Sequence, residues 1–314
     1  MKKNDPKDGL LGLCAGDAMG VPVKFYSRNR LNSDPVTNMF GYGTYNQPPG
    51  TWSEDSSLCF CLSESLCNDL DYTDIADKYC KWLYEAYWTP AGKVIDLGQV
   101  VQESINRLKK GITPLEAGSN TEVRNSNGAV ISILPIAYYI DANNIPADKK
   151  IEIIRQLTGI LHKNTISEIA AAIYVQFALN LINGEGLSRA YENMCKTILE
   201  MHRDSVYKES MGSFSRILNL QLLQLKTADI NISNTVIDVL EAGLWSLLTT
   251  HSYRETILTA VNLGGETDTI GAIAGGLAGI YYGYESIPAN WLDNLLRLDD
   301  IVELGDKLKE VLNR

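Results

Sequence analysis

Histidine is scarce in the 314-residue sequence, with three copies, and its six cysteines include no Cys-x-x-Cys pair. That removes the common ligand spacings of a zinc site and of a dithiol redox centre. Basic residues are outnumbered, 28 Lys and Arg against 38 Asp and Glu, for a formal charge of −10. No dense cationic stripe is therefore available to displace counterions from a nucleic-acid backbone, and nucleic acid is not an expected partner. Long apolar runs are missing as well. The longest, 270–284, is laced with glycine and falls short of the roughly 20 residues that a membrane-spanning helix needs, so no membrane partner is expected. The apolar stretch from Gly9 to Ala15 is too short for a signal peptide and is interrupted at once by Asp17. Cys14, Cys59, Cys61, Cys67, Cys80 and Cys195 lie inside apolar helical patterns, which reads as reduced thiols in a cytoplasmic protein.

What the sequence does have is helical period from end to end. Leu58, Cys61, Leu62, Ser65 and Leu66 follow the i, i+3, i+4, i+7, i+8 rule, and Leu240, Leu244, Leu247 and Leu248 share one face. Strand-like alternation is hard to find. The pattern predicts helices near 6–20, 54–69, 72–88, 97–110, 128–141, 148–161, 165–183, 187–201, 206–226, 234–250, 252–262, 268–284, 289–297 and 299–312. The fold class is all-α, and residues 1–314 read as one domain, because no composition shift or low-complexity tract marks a linker. The long break is 26–53, where Gly41, Gly43, Pro48, Pro49 and Gly50 crowd among Tyr42, Tyr45 and Trp52. A loop of that length inside a domain is usually functional or mobile.

Two carboxylate clusters stand where polar loops turn into apolar helices. The first is Ser53-Glu54-Asp55-Ser56; the second is Glu266-Thr267-Asp268-Thr269, which follows Gly264-Gly265 and precedes glycines at 271, 275 and 279. N-capping explains either cluster taken alone. Together they supply only hard oxygen donors, and carboxylates gathered in one buried place repel each other unless a cation lies between them. If the clusters meet, a magnesium-like ion is the natural counter-charge. Asp17, in Gly16-Asp17-Ala18-Met19-Gly20, either faces inward or is solvated. Asp96, before Leu97-Gly98, reads as a cap, and Asn127-Gly128 as a turn whose N–H groups could also face an anion. His162 ends an apolar helix and reads first as a structural residue.

The order of these pieces resembles the ADP-ribosylglycohydrolase family over roughly 8–285. Gly16-Asp17-Ala18-Met19-Gly20 is similar to the family's Gly-Asp-Ala-Leu-Gly opening, and Gly50-Thr-Trp-Ser-Glu-Asp-Ser-Ser57 to the stretch around its (Ser/Thr)-Asp-Asp-(Ser/Thr) motif. Asp96-Leu-Gly98 resembles Asp-Ile-Gly, Asn127-Gly128 the Asn-Gly turn, and His162 the Thr-His position. Asn262-Leu-Gly-Gly-Glu-Thr-Asp-Thr-Ile-Gly-Ala272 resembles Asn-Leu-Gly-x-Asp-Thr-Asp-Thr-x-Gly-Ala.

The resemblance implies a compact orthogonal multi-helix fold and hydrolysis of the glycosidic bond that joins ADP-ribose to a protein side chain, arginine foremost. The implied cofactor is a pair of Mg2+ ions, with Mn2+ as the alternative, held by Ser53, Glu54, Asp55, Glu266, Asp268 and Thr269. Such ions would lie roughly 3.5–4 Å apart, grip the ribose diol and orient a water. Asp55 is the first candidate for acid/base work and Asp96 the second; Asp17, Gly98, Asn127, Gly128 and His162 are the implied substrate contacts. The implied partner is an ADP-ribosylated protein. Tyr42, Tyr45 and Trp52 are read either as covers of the cleft or adenine stackers, or as simple packing.

Four positions depart from the family pattern. Glu54 and Glu266 stand where aspartate is usual, Lys24 where many relatives carry glutamate, and Ser132 where arginine is usual. A longer carboxylate must be absorbed by a site that wants near-octahedral geometry. The Lys24 ammonium either takes a metal's place electrostatically or points to solvent. These departures keep a second reading open, a relative that binds ADP-ribose or a protein partner with impaired catalysis.

Overall fold

The structure is a computed structural model that describes residues 5–120, 128–201 and 207–314. Helices follow one another in the order α1 (Pro6–Gly20), α2 (Arg28–Ser33), α3 (Glu54–Leu66), α4 (Tyr72–Glu85), α5 (Gln99–Lys109), α6 (Pro114–Ala117), α7 (Gly128–Ile131), α8 (Pro135–Ala142) and α9 (Ala147–Leu161). They continue as α10 (Thr165–Ile182), α11 (Leu187–Met201), α12 (Ser215–Leu218), α13 (Val236–Leu248), α14 (Tyr253–Asn262), α15 (Thr267–Tyr282), α16 (Ala289–Leu292) and α17 (Leu298–Leu312). No β-strand forms among the described residues; an isolated bridge joins Ser119 and His162. The fold is all-α, as expected.

Local chemistry explains most helix starts. The Asp5 carboxylate accepts the Lys7 amide at 3.1 Å ahead of Pro6, and the Asn164 side chain accepts the Ser167 amide at 2.9 Å. Each satisfies an N–H that the first turn leaves without an intrahelical partner. Three expected helices are interrupted. The stretch 128–141 splits at Pro135, which begins α8 because proline lacks the N–H needed in a helix interior. Of the expected 206–226, the described residues 207–226 form only the short α12 and 3-10 turns, with Leu220 in a left-handed conformation at φ 59°. Likewise 289–297 keeps only α16 and breaks before Arg297, at φ 56°.

The centre of the fold is the crossing of α1 and α15. Gly12 and Gly16 of α1 meet Gly275 and Gly271 of α15. A Cβ on any of the four would fall closer to the opposing carbonyl oxygen than the 3.0 Å that real Cβ atoms keep. With hydrogen in place of side chains the two backbones touch, and both helices are almost completely buried, α1 also by α3 and α17 and α15 also by α10, α13 and α14. The helix α10 passes the length and hydropathy test for a membrane span, with an 18-residue window of mean hydropathy 1.5, which corrects the reading that no such segment exists. Here 83% of that window is buried, as a core helix among α8, α9, α11 and α15. None of the six cysteines is paired, and all but Cys80 are buried.

The segment 26–53 is not a free loop. It contains α2, capped by Ser27, and it is tied down by other elements. Asn262 at the end of α14 both accepts from the Val36 amide (2.8 Å) and donates to its carbonyl (2.9 Å), while Thr44 donates from its amide to Pro22 (2.8 Å). Trp52 is fully buried, edge-on to Phe60 at 5.6 Å. The reading of Trp52 as an adenine stacker is therefore corrected, because its ring belongs to the core.

The seam makes a sharp prediction. Gly271→Ala should destabilise the fold by about 1–3 kcal/mol, since overpacking against an opposing backbone outweighs the roughly 1 kcal/mol that alanine gains over glycine in a helix. Gly159→Ala in α9, where an added Cβ meets nothing within 4 Å, should stabilise or be neutral. Urea unfolding of both variants decides; a Gly271→Ala chain as stable as the parent would refute the seam.

Candidate active site

The glycine seam fixes where the acidic residues go. It places the C-terminal half of α1, with Asp17, beside the N-terminus of α15, and α3 packs against both. Two helix N-termini, carrying partial positive charge, thus face one cluster of carboxylates.

Asp17 is the buried support. Its carboxylate accepts the Ser53 amide (3.0 Å), the Ser56 amide (3.2 Å) and the Ser56 hydroxyl (2.6 Å), holding the first turn of α3. Burial raises it to about 6, with the hydrogen bonds from Ser56 and Ser53 holding it back. Ser53 caps α3 by accepting from the Asp55 amide at 3.2 Å. Across the gap, the Thr269 hydroxyl donates to Asp55 at 2.9 Å, joining the two clusters. Burial, then the neighbouring charges of Asp17, Asp268 and Glu54, push the Asp55 carboxyl well above the ordinary range. Asp268 is raised the same way, by burial first.

Both long carboxylates have found partners in this chain. Glu54 accepts the Gly98 amide at 2.9 Å, and its carboxyl stands where a Cβ on Gly98 or Gly128 would crowd it. Burial and then Asp96 raise it to about 8. Glu266 pairs with the Lys24 ammonium at 3.1 Å. Lys24 is buried, donates to Asp268 at 2.9 Å and forms a further ion pair with Asp96. Burial alone would lower its pKa, but Asp268, Asp96, Glu266 and Asp55 hold it far above the ordinary value. The solvent-pointing reading of Lys24 is thereby excluded.

Sequence reasoning missed one contact. The Tyr45 phenol donates to Asp96 at 2.6 Å, so Tyr45 orients this carboxylate across 51 residues of sequence, a spacing that carries no local signal. Asp96 itself sits at φ 56°, a left-handed conformation that aspartate tolerates better than most residues. Tyr42 is exposed. Ser132, at the family's arginine position, is buried beside the Tyr79 phenol. Asn127 lies outside the described residues. His162 is fully buried, and among the described residues neither ring nitrogen has a hydrogen-bond partner, so no bond ties it to the described carboxylates.

The family model of the ADP-ribosylglycohydrolases matches residues 6–314. The chain belongs to this family. It is thereby one of the hydrolases of glycosidic bonds. ADP-ribosylarginine hydrolase Tri1 of Serratia proteamaculans is 29% identical over 96% of this chain and 78% of its own length. The ADP-ribosyl-[dinitrogen reductase] glycohydrolase of Rhodospirillum rubrum is 27% identical over 91% of this chain and 88% of its own. A solved ADP-ribosylglycohydrolase-related protein complex shares the fold, with a TM-score of 0.76 and 24% identity over 100% of this chain and 99% of the other.

The donor set fits a hard cation. Ser53, Asp55, Asp268 and Thr269 converge from α3 and α15, and all offer oxygen. Among the described residues no three Asp, Glu, His or Cys side chains form a ready cage. Asp96, Glu266 and Asp268 each turn an oxygen toward Lys24.

His162 yields a pH prediction. Burial pulls its imidazole from 6.5 down to about 4. Between those values the unfolded chain binds a proton that the folded chain does not, so stability is full above pH 6.5 and falls as the pH drops toward 4. His162→Leu should remove that slope. Between pH 7 and 5 the parent should lose about 2 kcal/mol more than the variant, as read by denaturant unfolding; parallel losses would refute it.

Proposed function

We propose that this chain removes ADP-ribose from modified proteins, with arginine as the acceptor side chain and Mg2+ or Mn2+ as the cofactor. The observation that carries the reading is the bond between Thr269 and Asp55, which joins the acidic N-termini of α3 and α15 into one buried site. The arginine acceptor is supported by the Serratia relative, whose name specifies ADP-ribosylarginine.

The residues divide the work by position. Ser53, Asp55, Asp268 and Thr269, with Glu54 beside them, would hold the cation. When bound, the cation would offset part of the carboxylate charge and orient the ribose hydroxyls. Hydrolysis places a water oxygen on the anomeric carbon as the bond to the acceptor nitrogen breaks. The positive charge that develops on the sugar ring is stabilised by the surrounding carboxylates. Asp55, whose proton affinity burial has raised, is suited to exchange a proton with that water or with the departing nitrogen. Asp96 has one oxygen on Tyr45 and one on Lys24, which suits it to orientation more than to proton transfer. Asp17 works indirectly, by holding Ser53 and the first turn of α3 in place.

The test is release of free ADP-ribose from an arginine-ADP-ribosylated protein, with Mg2+, with Mn2+ and with chelator. Release should need the metal and fall by roughly 10²–10⁴-fold in Asp55→Ala, in line with loss of a general acid or base. Asp268→Ala should lose release to a similar extent. Release undiminished by chelator would overturn the metal. Release from serine-linked but not arginine-linked ADP-ribose would overturn the acceptor. ADP-ribose binding without release from either substrate would favour the impaired relative instead.

A further inference from the structure

The ammonium of Lys24 is coordinated as a cation would be. It is buried, and three carboxylates from three separate parts of the chain converge on it: Asp268 at 2.9 Å, Glu266 at 3.1 Å, and Asp96. Its backbone is held as firmly. The Lys24 carbonyl accepts from the Thr44 hydroxyl at 2.8 Å. The next amide, of Phe25, donates to the Gly265 carbonyl at 2.8 Å, and the Gly265 amide donates back to Tyr26 at 2.9 Å. Phe25 accepts a left-handed φ of 68° to complete this pairing, a costly conformation for an aromatic residue, which persists only where the surroundings enforce it.

The carboxylates fall into two groups. Asp96, Glu266 and Asp268 pair with Lys24, whereas Asp55 and Glu54 make no ion pair with it. Asp55 instead lies with Ser53 and Thr269. The first group is paired directly with a positive charge that the chain supplies itself, whereas the second feels that charge without an ion pair.

We propose that Lys24 is a built-in substitute for one cation of a two-cation site, so that the chain binds a single divalent ion, on the side of Ser53, Asp55 and Thr269. The inference rests on the proposed metal-assisted hydrolysis. Two features support it. A second divalent ion among Asp96, Glu266 and Asp268 would have to displace an ammonium from three ion pairs. A divalent ion beside the ammonium would also face like-charge repulsion inside a buried site, where screening is weak. The glutamate at position 266 belongs to the same arrangement, since its added methylene carries the carboxylate to the ammonium.

The experiment counts ions. Mn2+ bound per chain is measured by titration calorimetry and by electron paramagnetic resonance, on the full chain and on Lys24→Glu, Lys24→Met and Asp55→Ala. The parent should bind one Mn2+ and give the spectrum of an isolated ion. Lys24→Glu should bind two and give the more finely split spectrum of a coupled pair, and Asp55→Ala should lose the parent's ion. Thermal melts check that each variant folds; should Lys24→Glu fail to, Lys24→Met decides, and it too should admit a second ion. Two ions in the parent would overturn the substitution while leaving the hydrolase intact. One ion in the parent and still one in both Lys24 variants would overturn it as well. No ion in any chain, with ADP-ribose released in chelator, would overturn the metal reading and the inference together.

Discussion

Backbone contact between α1 and α15 is the constraint on which the site depends. Side chains at Gly12, Gly16, Gly271 and Gly275 would hold the helices apart by the width of a methyl group or more. Closure of this gap sets Asp17 beside the start of α3 and brings Lys24, four residues beyond α1, against the start of α15. The distances that define the site, 2.9 Å from Lys24 to Asp268 and from Thr269 to Asp55, would not survive a displacement of that size. Packing here is therefore part of the chemistry.

The same closure creates an electrostatic problem and answers part of it. Asp17, Glu54, Asp55, Asp96, Glu266 and Asp268 are drawn together, four of them deeply buried, and carboxylates so placed resist ionisation. Asp17 is relieved by amide and hydroxyl donors, Glu54 by the Gly98 amide, and Asp96, Glu266 and Asp268 by one ammonium. Asp55 makes no ion pair. It has a threonine hydroxyl, the end of a helix dipole and the Lys24 charge at longer range.

Much of this was legible in the sequence because it is local. Carboxylates next to helix starts, glycines spaced by four in 271, 275 and 279, and apolar residues at helical period all report short-range physics. The all-α class and the meeting of the 53–56 and 266–269 clusters follow from such signals together with the family motifs. The rest is long-range. That Trp52 belongs to the core depends on Phe60 and on how α3 lies in the fold; that Tyr45 reaches Asp96 depends on a loop path set by Asn262 and Pro22. Lys24 is visible as an anomaly in the sequence, but its three partners come from segments more than 70 residues away. His162 shows the opposite failure, a motif position whose side chain is enclosed without a polar partner.

The tail of the chain underpins the site from a distance. Leu296 donates its amide to the Gly50 carbonyl at 3.2 Å, just ahead of Ser53, and Arg297 donates to the Thr89 carbonyl at 3.1 Å while its guanidinium lies 4.7 Å from the centre of the Trp88 ring. Trp88 in turn stands against Phe60 of α3 at 5.3 Å. Helix α17 then closes back on α1 through Lys7, which pairs with Asp306 at 2.5 Å, and Lys309, which pairs with Asp5 at 2.7 Å. A cut between Asn294 and Leu298 would thus loosen the segment that bears Ser53 and the flank of α3 without altering any residue of the carboxylate cluster.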